Sequence, residues 1–194
     1  MSLKINKLVF ATKNKNKLAE VSNILKNTGI LICGVEGDFD PEETGKTFEE
    51  NAYIKAYEAA KIMNMPAFGD DSGLVVDALD GRPGVYSSRY AENDQKRIAK
   101  LLDELKDIPQ EKRTARFVCA MVLVDPLGEI LYSGQGTCEG IIIDSPKGAN
   151  GFGYDPIFFI PEKNATMSEL KMDEKNTVSH RGKALKKIIE WLLN

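Results

Sequence analysis

The chain has 194 residues, 42% of them hydrophobic and 28% charged, the balance of a folded globular protein rather than a disordered or membrane-embedded one. That length buries one substantial core and is short for two ordinary domains, so a single domain over residues 1–194 is expected. A formal charge of −3 and a pI near 5.4 give no general attraction for a polyanion, so no nucleic-acid partner is expected and any grip on phosphate must be local.

Residues 1–6 carry no apolar run of signal-peptide length, and no later stretch approaches a membrane span, so no membrane partner and a cytoplasmic location are expected. Residues 8–11 read as a short buried strand. Residues 14–17 then lead into an amphipathic helix with Leu18, Val21, Ile24 and Leu25 on one face, and Gly29 is placed to end it. Residues 30–35 are β-branched enough for a second strand, and the acidic, Gly- and Pro-containing residues 37–45 read as an exposed loop.

Thr47 followed by Glu50 is a capping box, starting a helix to about Met63 with Ala52, Ala56, Ala59 and Ala60 as its small packing face. Pro66 stops it. Residues 67–79 read as a strand interrupted by Asp70, Asp71, Ser72 and Gly73, with a turn at Asp80 and Gly81. Ile98, Leu101, Leu102 and Leu105 mark another helix, and residues 116–125 and 129–136 read as a hairpin. Residues 147–154 are a glycine-rich loop, 156–160 a strand, and 182–193 a last helix with Leu185, Ile188, Ile189 and Leu192 inward. Early alternation of strand and helix with a late hairpin predicts an α/β fold, a mixed sheet flanked by helices.

Several constellations could carry chemistry. Thr12, Lys13, Asn14, Lys15, Asn16 and Lys17 form a cationic turn at a helix N-terminus, where unpaired N–H groups and the helix dipole favour phosphate. It lacks the P-loop pattern, and the plainer reading is a solvated basic turn capped by Asn16. Asp70 and Asp71 sit in an apolar setting where adjacent carboxylates resist burial without a compensating cation. Magnesium, which takes one or two carboxylates with waters and phosphates, is the simplest compensation. The acidic loop Asp38, Asp40, Glu42 and Glu43 is a solvated charge run unless the fold carries it there.

Phe152, between Gly151 and Gly153, offers a ring that a planar base can approach, or else a core plug. Lys175 with Ser179, His180 and Arg181 offers donors suited to purine nitrogens and an exocyclic oxygen; the plainer reading makes Ser179 an N-cap and its neighbours surface residues. Basic residues at a helix N-terminus oppose the dipole, so Arg181 needs another reason. Cys33, Cys119 and Cys138 show no metal or redox spacing and read as small buried hydrophobes.

The runs Phe10-Ala11-Thr12-Lys13-Asn14-Lys15-Asn16-Lys17, Thr47-Phe48-Glu49-Glu50-Asn51-Ala52-Tyr53-Ile54-Lys55, Gly69-Asp70-Asp71-Ser72-Gly73, Gly81-Arg82-Pro83-Gly84-Val85-Tyr86, Gly151-Phe152-Gly153-Tyr154-Asp155 and Ser179-His180-Arg181 occur in one order along nearly the whole chain. Together they resemble the inosine triphosphatase family, the Ham1-like dITP/XTP pyrophosphatases. The resemblance implies a homodimer with an elongated mixed sheet, two lobes and a cleft, hydrolysing ITP, dITP and XTP to the monophosphate and pyrophosphate with Mg2+. It implies that Thr12, Lys13, Asn14, Lys15, Asn16 and Lys17 bind the triphosphate. Glu43 and Asp71 would hold magnesium, Asp71 would also accept the proton, and Ser72 would contact substrate. Phe152, Gly153, Tyr154, Asp155, Lys175, His180 and Arg181 would recognise the base. Lys13 stands where many relatives have glycine, which bears on the conformation of that loop. Lys55 is a further candidate phosphate contact, and Arg181→Ala is expected to weaken turnover much more than folding.

Two rivals remain at this level. A Maf-type pyrophosphatase acting on other nucleotides is disfavoured by the Ser179-His180-Arg181 segment. A nucleotide- or RNA-binding module without chemistry has little need for Glu43, Asp70 and Asp71.

Overall fold

A computed structural model describes residues 7–194; the reading of residues 1–6 lies outside them. The described residues form an α/β fold on a mixed sheet of order β2-β1-β3-β4-β5-β6-β7. The strands are β1 (Lys7–Phe10), β2 (Leu31–Gly34), β3 (Ala67–Val76), β4 (Thr114–Val124), β5 (Ile130–Ile142), β6 (Phe158–Ile160) and β7 (Ala165–Thr166). The helices are α1 (Lys15–Leu25), α2 (Phe48–Met63), α3 (Asp94–Leu105), α4 (Met172–Val178) and α5 (His180–Leu193). No described helix is long and apolar enough to cross a membrane.

The chain divides into two compact units. Among the described residues, the first comprises 7–71, 119–136 and 180–194. In it β1 pairs in parallel with both β2 and β3, as short α-helical crossovers require. Alternation along these strands sorts side chains to two faces. Leu8, Phe10, Phe68, Cys119 and Met121 pack with Val21, Leu25, Ala184 and Ile188 of α1 and α5. Val9, Ala11, Ala67, Ala120 and Val122 pack with Ala52, Ala56, Ala59 and Ala60 of α2.

Helix α2 begins as the capping box requires: Thr47 accepts from the Glu50 N–H, and the Glu50 carboxylate accepts from the Thr47 N–H. It ends at Asn64 in the left-handed conformation, a position Asn tolerates. In α1 the cap is Asn14, whose Oδ1 accepts from the Asn16 and Lys17 N–H groups, not Asn16.

The second unit comprises residues 72–118 and 137–179. Leu74 and Val76 of β3, Leu101 and Leu105 of α3, Phe117 and Ile142 form its core with Phe158 and Met167. Asp80 and Gly81 make the expected turn, both at positive φ. Strand β7 and helix α4 were not anticipated, being too short to show a period.

One sequence expectation is overturned: β3 is a single ten-residue strand, not two halves around a polar break. Asp70 and Asp71 stay in it, nearly all of its residues buried, because each carboxylate finds cations on its own face.

Candidate active site

In the first unit the period of β3 decides what each aspartate meets. Ala67, Gly69 and Asp71 face α2; Phe68 and Asp70 face α1 and α5. Gly69 makes this possible, since a Cβ there would lie 2.3 Å from the Ala52 carbonyl oxygen and 2.8 Å from the Ala56 nitrogen. The absent side chain lets α2 sit directly on the strand.

On the α2 face, Lys55 Nζ donates to Glu43 Oε1 at 2.7 Å and to Asp71 Oδ1 at 3.0 Å. Asn51, one turn earlier and fully buried, donates from Nδ2 to Asp71 Oδ2 at 3.2 Å and accepts the Gly45 N–H at 2.8 Å. The acidic loop is thus carried to Asp71, which spacing alone could not establish. Burial pushes the Asp71 carboxyl above its ordinary value; Lys55 opposes this, and the negative charge of Glu43 adds to it. Burial tends to lower Lys55, but Asp70, Asp71 and Glu43 outweigh it and raise the ammonium pKa.

On the opposite face, Lys17 Nζ donates to Asp70 Oδ1 at 2.9 Å and Arg181 Nε to Asp70 Oδ2 at 3.1 Å. A second nitrogen of Arg181, Nη1, donates to Glu20 Oε2. Burial alone would raise the Asp70 carboxyl; Lys17, then Arg181 and Lys55, outweigh it and hold it well below the ordinary carboxylate range. Cys119 lies on the same face, 3.9 Å from Asp70 Oδ2, and burial together with that carboxylate pushes its thiol up to about 12. Cations of the chain itself therefore compensate Asp70, so it needs no metal ion.

In the second unit Asp155 organises the glycine-rich loop. Its Oδ2 accepts the Phe152 N–H at 3.0 Å and the Lys175 ammonium at 2.9 Å. Lys175 Nζ lies 4.9 Å from the centre of the Phe152 ring, a cation–π contact. Gly151 has φ +81°, and a Cβ on it would lie 2.1 Å from Asp155 Oδ2. Gly153, at φ +63°, donates its N–H to Asp94 Oδ2 at 2.8 Å. The Tyr154 hydroxyl donates to the Ser87 carbonyl at 2.9 Å.

The structure thus brings Lys17 to Asp70, and Glu43 to Asp71, in the first unit, and gathers Phe152, Asp155 and Lys175 in the second. Ser72, half-buried, begins the second unit's share of β3. Lys13, Asn14, Lys15 and Asn16 are exposed and Thr12 half-buried, its hydroxyl accepting the Asn14 N–H. His180 and Arg181 are buried, not surface residues of a first turn. Sequence reading missed Asn51 and Glu20. The available signal was a polar residue on a packing face: Asn51 beside the alanine stripe of α2, and Glu20 beside Val21 in α1.

Carboxylates paired across an ammonium next to a cationic helix start are chemically able to hold a metal-bound polyphosphate. Residues 8–191 match the Ham1 family. The chain is a member of the Ham1 family. A dITP/XTP pyrophosphatase of Geobacter sulfurreducens is 54% identical, over 93% of this chain and 94% of the relative. Another, from Halalkalibacterium halodurans, is 51% identical over 95% and 97%. Among solved structures, a HAM1 protein from Coxiella burnetii superposes with a TM-score of 0.86 at 43% identity, covering 96% of this chain and 98% of that one. The Staphylococcus aureus Ham1 protein gives 0.85 at 40% identity, with the same coverage. The Ham1 assignment sets aside the Maf-type reading of the sequence.

Proposed function

We propose that this Ham1 chain, as one domain, hydrolyses the non-canonical purine nucleoside triphosphates dITP, ITP and XTP to the monophosphate and pyrophosphate, with Mg2+ as cofactor. It works in the cytoplasm as a homodimer, without nucleic-acid or membrane partners. The observation that carries the reading is the clasp of Glu43 and Asp71 on one ammonium, beside a strand whose other face holds Lys17 at the start of α1.

The donor set fits magnesium. Two carboxylates, Glu43 and Asp71, share one ammonium on the α2 face. That suits an ion that takes one or two carboxylates and completes its shell with waters and phosphates. When bound by Glu43 and Asp71 it supplies charge neutralisation at the phosphate oxygens.

The chain's own residues do the rest. Thr12 and the exposed Lys13, Asn14, Lys15 and Asn16 meet the triphosphate at the helix start, where N–H groups and positive charge converge. Asp71 accepts the proton of a water that attacks the α-phosphorus, while the bond from that phosphorus to the pyrophosphate oxygen breaks. Lys17 and Lys55 stabilise charge developing on the leaving group. Ser72 contacts the substrate. Phe152 offers its ring to the purine, a contact worth about 1–3 kcal/mol, with Gly153, Tyr154, Asp155 and Lys175 around it in the second unit; His180, in the first unit, is a further candidate for base recognition. Arg181 has a geometry that favours holding Asp70 and Glu20 over reading the base.

Pyrophosphate release from dITP, ITP, XTP, GTP and dATP, with Mg2+ and with EDTA, tests this. Release from the first three, abolished by EDTA, is expected. Asp71→Asn should stay folded and lose about 10²–10⁴-fold in kcat, the usual worth of a proton acceptor. Activity confined to GTP and dATP would refute the substrate assignment, and full turnover by Asp71→Asn would refute the role of Asp71.

A further inference from the structure

Asn51 has no exposed surface and lies on the face of α2 that rests on β3. Its amide orientation is determined by its partners: the Gly45 N–H can only donate, so Oδ1 faces the loop and Nδ2 faces Asp71. Asn51 and Lys55, four residues apart on one helix face, therefore each tie the acidic loop to Asp71. Lys55 does so through the Glu43 carboxylate, Asn51 through the Gly45 backbone two residues later.

The two ties respond differently to a cation. The ammonium of Lys55 occupies the charge-neutralising position between Glu43 and Asp71, and a divalent ion held by those carboxylates competes with it directly. The amide of Asn51 is neutral, presents N–H to Asp71 and has its oxygen engaged by Gly45, so it does not compete. We infer that Asn51 is a positioning residue for the divalent cation, keeping the Glu43 loop registered against Asp71 when the Lys55 ammonium yields its place to the ion. The inference rests on the metal reading given above for Glu43 and Asp71.

The test uses the full chain as Asn51→Ala, with Asn51→Leu as a near-isosteric second variant if the alanine cavity prevents folding. Mn2+ alone is titrated and the free ion followed by electron paramagnetic resonance; separately, the Mg2+ activation midpoint and KM for dITP are measured. Loss of an outer partner of a metal ligand weakens the metal about 10–100-fold. That shift is expected in both the Mn2+ affinity and the Mg2+ midpoint, with KM at saturating Mg2+ unchanged. Ala60→Gly, which loosens the same helix away from the site, should lower Tm and move neither. Unchanged Mn2+ affinity in a folded Asn51 variant overturns the inference, as does an equal shift in Ala60→Gly. Asp71→Asn separates the two levels. If it leaves Mn2+ affinity intact, the metal reading itself fails; if it weakens Mn2+ while the Asn51 variants do not, only the role of Asn51 fails.

Discussion

Arg181 is the largest fully buried side chain of the described residues, with its guanidinium on the carboxylates of Asp70 and Glu20. From sequence it is a donor in search of a purine, because nothing near it in the chain explains a cation at a helix start. The explanation lies 111 and 161 residues away in β3 and α1, and only folding brings it into view. Breaking one side of a buried ion pair leaves an uncompensated charge and costs about 3–5 kcal/mol. Arg181→Ala is therefore expected to lose about that much in urea unfolding, not to spare the fold. A variant as stable as the parent would refute the structural role. Asp70 adds a pH signature. Its folded pKa lies below the ordinary 3.8, so its contribution is fully present above that pH and is lost as pH falls through the folded value. The stability gap between the parent and Asp70→Asn should be flat from pH 8 to 5 and shrink below about pH 4. A gap that widens in acid would show the opposite sign of shift.

At the scale of elements, legibility followed how local the determinant was. The start of α2 was readable because its cap is made by Thr47 and Glu50 within one turn. The interruption expected in β3 was not real, since Gly69, Asp70, Asp71, Ser72 and Gly73 have the composition of a turn. What keeps them in a strand is cations from α1, α2 and α5, which composition cannot display. Gly69 shows the same dependence: its reason is the Ala52 carbonyl, 2.3 Å from where a Cβ would stand. Gly69→Ala should force α2 outward, at a cost of about 1–3 kcal/mol for overpacking. Because Asn51 and Lys55 ride on that helix, Mg2+-dependent turnover should fall further than in Ala60→Gly at equal loss of Tm. Equal loss of turnover in the two variants would mean that the packing distance of α2 does not position the site.

The molecule as a whole carries a formal charge of −3, so a free nucleoside triphosphate, itself strongly anionic, gains nothing from the long-range field. In the proposed reading, binding would come from the local cations Lys13, Lys15 and Lys17, with magnesium offsetting the repulsion of Glu43 and Asp71. A ligand that binds only the native state stabilises it by about 2.7 kcal/mol at one hundred times its Kd. For a chain of this size each kcal/mol moves Tm by about 2–4 °C. An α,β-methylene analogue of dITP, not cleavable at the scissile position, should therefore raise Tm by roughly 5–10 °C in the presence of Mg2+. With EDTA in place of Mg2+ the shift should shrink, because the one ammonium of Lys55 that then offsets Glu43 and Asp71 leaves no divalent charge to meet the phosphates. The matching dATP analogue should give a smaller shift, since its amino group presents donors where the hypoxanthine oxygen accepts them. An equal shift with and without Mg2+ would place nucleotide binding away from Glu43 and Asp71, and an equal shift for both bases would remove base selectivity from the binding step.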